Sequence, residues 1–202
     1  MKNEKIINIA QKVIKNESTA VLTLVDQLDN NFINAVRLML DCKGHVLVAG
    51  AGTSHSVARR LAHLLSCCGT PALLIDVGDS QHGLSGAVTE RDILIALSKG
   101  GQTKEVITLA SVAKKRGAKL IAITEKPDSG LGKLSDISLK IVAPPEVDPY
   151  GMVATGSSLV YAAFGDALCV VLLKMKDYSL KEFGETHPGG AVGRKIGDLD
   201  NL

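Results

Sequence analysis

Apolar residues change their spacing several times along the chain, and each change marks an element. Between Glu4 and Leu28, positions such as Ile6, Ile9, Ala10, Val13, Ile14, Val21, Leu24 and Leu28 recur at the period of a helix. A second helical stretch runs from about Asn31 to Leu40. His45-Val46-Leu47-Val48-Ala49-Gly50 is different: a short, continuous apolar run that ends in glycine. Runs of that kind suit strands buried on both faces, as in parallel sheets. The signature returns at Ala72-Leu73-Leu74-Ile75, at Ile93 to Leu97, at Leu120 to Ile123 and from Ile137 to Val142, with helical patterns at Val57 to Cys68 and Glu105 to Arg116. Strands alternating with helices predict right-handed βαβ crossovers and an α/β fold. The expected architecture is a doubly wound parallel sheet of about five strands with helices on both faces, a three-layer arrangement like flavodoxin or Rossmann domains.

Leu159 to Leu173 is nearly all apolar, but it is shorter than the roughly 20 residues a bilayer span needs, and Asp166 interrupts it. It reads as a buried helix or one packed at a subunit interface. No repeat, low-complexity tract or Pro/Gly-rich linker divides the sequence, so residues 1–202 read as one domain. Long apolar helices at both ends point to a homo-oligomer.

Composition narrows the functional classes. The 202 residues are 46% hydrophobic, ample for a core, and 23 basic against 21 acidic side chains leave a formal charge of +2. That near balance lacks the electrostatic footprint of a nucleic-acid or membrane-surface binder. With 3% aromatics and no tryptophan, stacking platforms for bases are nearly absent. Cys42, Cys67, Cys68 and Cys169 form no C-x-x-C pair. His55, His63 and His82 with Cys67 and Cys68 lack the spacing of a zinc site, so no metal is expected. The amino-terminal stretch carries no convincing signal or transit peptide, which points to the reducing cytoplasm.

Candidate chemistry gathers at two strand-to-helix turns. The first strand runs into Gly50-Ala51-Gly52-Thr53-Ser54, and a helix opens at about Ser54. Glycine allows positive φ and a close backbone approach, and a helix N-terminus offers free N–H groups and partial positive charge to an anion. The hydroxyls of Thr53 and Ser54 can cap that helix or bond a phosphate oxygen. Neither a dinucleotide fingerprint nor a Walker A loop is present: His55 stands where a third glycine belongs, and Gly-Lys-Ser/Thr is missing. The second turn is Ser98-Lys99-Gly100-Gly101-Gln102-Thr103, after which a helix starts near Thr103. Two such turns at the carboxyl edge of one sheet can grip one phosphate from both sides. Thr155-Gly156-Ser157-Ser158, opening the long apolar helix, reads either as a set of hydroxyl donors or as an ordinary N-cap cluster.

Gly50 to Ser54 and Ser98 to Glu105 together resemble the paired phosphosugar-binding loops of SIS (sugar isomerase) domains. Thr186-His187-Pro188-Gly189-Gly190-Ala191-Val192-Gly193-Arg194 is similar to a signature of the arabinose-5-phosphate isomerase branch. The resemblance implies an aldose–ketose isomerase of phosphorylated pentoses, interconverting ribulose 5-phosphate and arabinose 5-phosphate, with no cofactor and with sites shared between the subunits of a tetramer. It also implies Gly52, Thr53, Ser54, Ser98, Lys99, Gly100, Gln102 and Thr103 as phosphate- or substrate-binding positions, with His82 lining the site; Ser157 joins them as the hydroxyl donor read from the polar patch before the long apolar helix. The branch's two catalytic glutamates match Glu105 and Glu146, and its histidine matches His187. Its catalytic lysine falls on Thr53, its second-loop serine on Gly100 and its His-Gly-Asp-Leu-Gly on His82-Gly83-Leu84-Ser85-Gly86. The usual pair of CBS domains that follows in that branch would lie beyond Leu202. Two other readings stand beside this one: a non-catalytic module that binds a sugar phosphate, and an SIS enzyme acting on an amino-sugar phosphate, whose first loop would also read Gly-Thr-Ser.

Moving a carbonyl between C1 and C2 needs a base to carry a proton between the carbons and stabilisation of the enediolate oxygen. A partly buried carboxylate with a raised pKa suits that base. Glu146, in the proline-flanked loop after the last strand, is the first candidate and Glu105 the second, while His187 suits ring opening. The cation absent at Thr53 is expected from Lys99. Lys99→Ala should therefore weaken sugar-phosphate binding severely and Thr53→Ala much less, as read by titration calorimetry; equal, small effects would refute the assignment.

Overall fold

The computed structural model describes residues 3–199. Five strands form one parallel sheet in the order β2-β1-β3-β4-β5: β1 Val46–Gly50, β2 Ala72–Leu74, β3 Ile93–Leu97, β4 Lys119–Thr124 and β5 Ile137–Lys140. The helices are α1 Asn3–Leu22, α2 Asn30–Leu40, α3 Thr53–Cys67, α4 Lys104–Lys115, α5 Gly130–Leu134, α6 Gly156–Met175, α7 Leu180–Thr186 and α8 Gly190–Leu199. The doubly wound three-layer arrangement read from the apolar runs is the one observed.

Side-chain alternation splits the core in two. On one face Val46, Val48, Ile93, Ile95, Leu97, Ile121 and Ile123 pack against α2, α3 and α6, with Phe32 meeting Phe164 edge to face at 5.7 Å. On the other, Leu47, Ala49, Leu94, Ala96, Leu120 and Ala122 pack against Val106, Leu109, Ala110 and Ala113 of α4 and Leu131 of α5. Both faces of the central strands β1, β3 and β4 are covered, which is why their runs are apolar rather than alternating, whereas the edge strand β5, Ile137-Ser138-Leu139-Lys140, alternates.

Three details depart from the periodicity. The first helix stops at Leu22, and a 3-10 turn spans Thr23–Gln27. The apolar helix extends beyond Leu159–Leu173 at both ends, to Gly156–Met175, and among the described residues it is the one helix long and apolar enough to cross a membrane. Half of that stretch is buried inside the protein. Its interrupting charge, Asp166, is half-exposed and takes two hydrogen bonds from Arg60 of α3, at 2.5 and 3.0 Å. The pair α7 and α8, packed chiefly on each other, was not foreseen; the segment was read only for its His187 motif.

Strand order places the functional edge. β1 pairs with β3 in parallel, Gly50 beside Leu97, while α3 leaves toward one face and α4 toward the other. The chain therefore reverses its winding between β1 and β3, and a crevice opens beyond their carboxyl ends, where ligands bind in open α/β sheets.

The turn after β3 depends on one glycine of its pair. Gly101 has φ +64°, and a Cβ there would lie 1.9 Å from Ser129 Oγ, whereas Gly100 has open space around it. Gly101→Ala is expected to destabilise by about 3 kcal/mol, from positive-φ strain and overlap, and Gly100→Ala by no more than about 0.5 kcal/mol, measured by urea denaturation.

Candidate functional site

β1 delivers the chain to Gly52, whose φ of +56° turns the backbone into α3. Gly52 is the N-cap, and neither Thr53 nor Ser54 caps the helix with its side chain. β3 delivers Ser98 and Lys99, and the end of β4 fixes that turn: Thr124 Oγ1 and the Glu125 amide both donate to the Lys99 carbonyl, each at 3.0 Å. Lys99 is thereby aimed over the edge. Thr53, Ser54, Val57, Lys99, Ala154, Ser157, Ser158 and Tyr161 line one cavity of about 50 Å³. It adjoins a groove of about 390 Å³ between α3 and α6 that shares Thr53, Val57 and Ser158 and is flanked by the Arg60–Asp166 pair.

Of the residues read from the loops, the structure brings Thr53, Ser54, Lys99 and Ser157 together. Gly100, Gln102 and Thr103 lie farther along the second turn, and Ser98 Oγ, nearly buried, meets Thr103 Oγ1 at 3.0 Å instead of facing the cavity. The helix that faces α3 across the cavity is α6, not α4, because α3 and α6 share a face of the sheet while α4 packs on the other. His82 ends an exposed 3-10 turn, Asp79–His82, and is not among the cavity's residues. His55 stands 3.7 Å from Asp76. Among the described residues no three His, Cys, Asp or Glu side chains converge to hold a metal ion.

Glu146 is the centre of the site's electrostatics. Its side chain is 4% exposed. Oε2 accepts from the Gly156 amide at 2.9 Å, both oxygens accept from the Ser157 amide at 3.3–3.4 Å, and Oε1 meets Lys99 Nζ at 3.4 Å. The carboxylate thus sits on the N-terminus of α6, where helix dipole and free amides favour negative charge. Thr155 makes no side-chain cap, so the polar cluster opening α6 is capped from a distance by Glu146. Burial pushes the Glu146 carboxyl up, but the Ser157 hydroxyl and amide and the Lys99 ammonium outweigh it and hold the group below its ordinary value. This corrects the expectation of a raised pKa: the site is buried, yet every polar neighbour stabilises the ionised form.

Two further residues belong to the cluster and carried no motif. Glu125, directly after β4, is mostly buried; its Oε1 accepts from the Ala143 amide at 3.1 Å and lies 3.9 Å from Lys99 Nζ. Tyr161, 5% exposed, donates to the Ile141 carbonyl at 3.4 Å. Burial first, then the charges of Glu125 and Glu146, push its phenol upward, so it remains a donor. Their sequence signal was positional alone: a charge at the carboxyl end of a central strand, and a polar-tipped ring in an apolar helix.

The other two predicted catalytic groups lie apart from the cavity. Glu105 is exposed in the first turn of α4. His187 closes α7, stacked on Phe183 with ring centroids 3.9 Å apart. Its Nδ1 faces the Phe183 carbonyl at 2.8 Å. A carbonyl only accepts, so Nδ1 carries the hydrogen, and in the neutral ring the lone pair is on Nε2.

A parallel α/β domain with a small polar cavity at its switch point, edged by a lysine and two helix N-termini, is the architecture of a phosphosugar-binding domain. The SIS domain model matches residues 39–171, and the chain belongs to that family. Among curated relatives, it is 35% identical to the arabinose 5-phosphate isomerase KdsD of Pseudomonas aeruginosa over 194 residues, 96% of this chain and 60% of the relative. It is likewise 35% identical to KdsD of Escherichia coli K12 over 186 residues, 92% of this chain and 57% of the relative. The chain thus spans about three fifths of the length of these relatives. Among solved structures, a putative sugar-phosphate isomerase from Listeria monocytogenes superposes with a TM-score of 0.91 at 34% identity, covering 94% of this chain and 100% of that one. The c3406 protein of Escherichia coli CFT073 in complex with arabinose 5-phosphate superposes with a TM-score of 0.90 at 31% identity, covering 93% and 100%.

The lowered native pKa of Glu146 gives a signed expectation. Its stabilisation is complete above the carboxyl's unfolded value and is lost as pH falls through the lower native one. Glu146→Gln should cost about 1–2 kcal/mol at neutral pH and narrow the difference between neutral and acid melting temperatures, followed by thermal melts across that range.

Proposed function

We propose that the chain is a phosphosugar isomerase that interconverts ribulose 5-phosphate and arabinose 5-phosphate. The observation that carries the reading is the convergence of Lys99, the α3 N-terminus and the α6 N-terminus on one small cavity with two buried carboxylates behind the lysine. A phosphate group suits the cavity because Lys99 and the Thr53 and Ser54 hydroxyls supply donors to its oxygens and the N-terminus of α3 complements its charge, the first amides of α6 being already taken by Glu146. The SIS family, the name of the KdsD relatives and the arabinose 5-phosphate bound by the c3406 protein support the substrate class.

In this reading the phosphate anchors one end of an open pentose chain and the carbonyl end lies within reach of acid–base groups. Glu146 is ionised at neutral pH and takes the proton that moves between C1 and C2, with Glu105 the alternative carboxylate. His187, with its Nε2 lone pair, assists ring opening. Because α7 and α8 do not bring it to the cavity of their own chain, it acts from a second copy of the protein, and the site is completed by association. The largely exposed apolar positions of α1, among them Ile6, Ile9 and Ile14, support such association.

The use of Glu146 as a helix cap favours a second reading, a module that binds a sugar phosphate without turning it over. Incubation with ribulose 5-phosphate in heavy water, followed by NMR, separates the two. Deuterium at C2 with appearance of the aldose is expected. A mixture of Glu146→Gln and His187→Ala chains, each inactive alone, should regain part of that activity. Thermal stabilisation by the sugar phosphate without exchange would establish the binding module, and turnover only of hexosamine phosphates would shift the substrate class to amino sugars.

A further inference from the structure

The Lys99 ammonium is bracketed by carboxylates: Glu146 Oε1 at 3.4 Å on one side and Glu125 Oε1 at 3.9 Å on the other. It is also the only cation among the described residues lining the cavity; the others are Thr53, Ser54, Val57, Ala154, Ser157, Ser158 and Tyr161. In this arrangement the cluster carries two negative charges and one positive. A dianion entering the cavity meets a net repulsion unless Lys99 turns from the carboxylates toward it. Lys99 is 40% exposed, and its flexible stem allows that turn. The two carboxylates differ in what they keep afterwards. Glu146 retains the Gly156 and Ser157 amides, whereas Glu125 retains the single Ala143 amide. Glu125 is therefore the carboxylate left least compensated when the lysine leaves.

We propose that Glu125 is a positioning residue that competes with a bound phosphate group for the Lys99 ammonium and so sets how loosely the cavity holds its guest. The inference rests on the reading of the cavity as a phosphate site. Such a device limits ground-state affinity, which would otherwise lower KM without raising kcat and slow product release. It also leaves Glu146 with one fewer cation once the guest is bound, and so a stronger base with substrate than without. The groups facing Glu146 in that state are the Gly156 amide, Ser157 and Tyr161 of α6 and the guest's own charge.

Inorganic phosphate at mildly alkaline pH, where it is a dianion, is the probe, and affinity is read from the rise in melting temperature across a phosphate series. Glu125→Gln keeps an oxygen for the Ala143 amide and removes the charge. It is expected to tighten phosphate binding about three- to tenfold. Lys99→Ala is expected to weaken it at least about tenfold, and Glu125→Gln added to Lys99→Ala should change it by less than about twofold. Glu125→Asp, which draws the charge back from the ammonium, should fall between wild type and Gln. A Glu125→Gln protein that binds phosphate no better than wild type overturns the proposal. So does one that tightens equally without Lys99, because the carboxylate would then act on the guest directly. Absence of phosphate binding by the wild type overturns the phosphate-site reading as well, whereas binding that ignores Glu125 overturns this inference alone.

Discussion

The carboxylate of Glu146 seated on the first amides of α6 is the joint on which the site depends. The loop between β5 and α6 is tied at its start by Ile141 and Ala143 in the core and by Gln27 and Glu125, and the buried charge-assisted cap at Glu146 fastens its far part to α6. That cap sets where α6 begins, and α6 in turn packs against α3 across the Phe164 side of the core. Ser157 and Tyr161 face Thr53 and Lys99 only because both helices are pinned at their N-terminal ends. A carboxylate buried without such partners would cost several kcal/mol or take up a proton. Here the amides, the Ser157 hydroxyl and Lys99 keep it ionised.

The base role proposed for Glu146 has to be reconciled with its use as a cap. A well-solvated cap is a poor base because its charge is satisfied. A catalytic carboxylate needs some of that satisfaction removed when the substrate is in place. The only neighbour of Glu146 free to move is Lys99; the α6 amides are fixed by the helix. Whatever draws on the lysine therefore acts on the carboxylate, and in the proposed reading that is the phosphate group. The same geometry gives a role to the second charge, Glu125, which no loop motif singles out.

Much of the fold was legible in the apolar runs, because strands covered on both faces must be continuously hydrophobic and α/β alternation leaves few connection patterns. The two glycine turns were legible for a related reason: Gly52 and Gly101 occupy backbone conformations that other residues adopt only under strain. What stayed hidden depends on contacts between distant segments. That α6 rather than α4 faces α3 follows from which face each crossover takes, and no local period records that. Glu125 lies beside Lys99 because β3 and β4 are neighbours in register, with Leu97 opposite Ile123. A raised pKa for Glu146 follows from burial taken alone, and the amides that reverse it come from residues ten and eleven positions later.

One chain does not satisfy all the chemistry its sequence carries. α1 has Ala20 as its single buried residue along Asn3–Leu22, while Ile6, Ile7, Ile9 and Ile14 stand about half exposed or more. A helix of that length gains little from propensity alone and owes its stability to packing of an apolar face. At the other end, α7 and α8 lean on each other and hold His187 by Phe183 in a defined tautomer, away from the cavity. The exposed apolar face of α1 and the histidine held away from the cavity are the two features that the proposed association would use. Association of copies would bury the first and give the second a cavity to serve, so the stability of the assembly and the completeness of its site would rise and fall together.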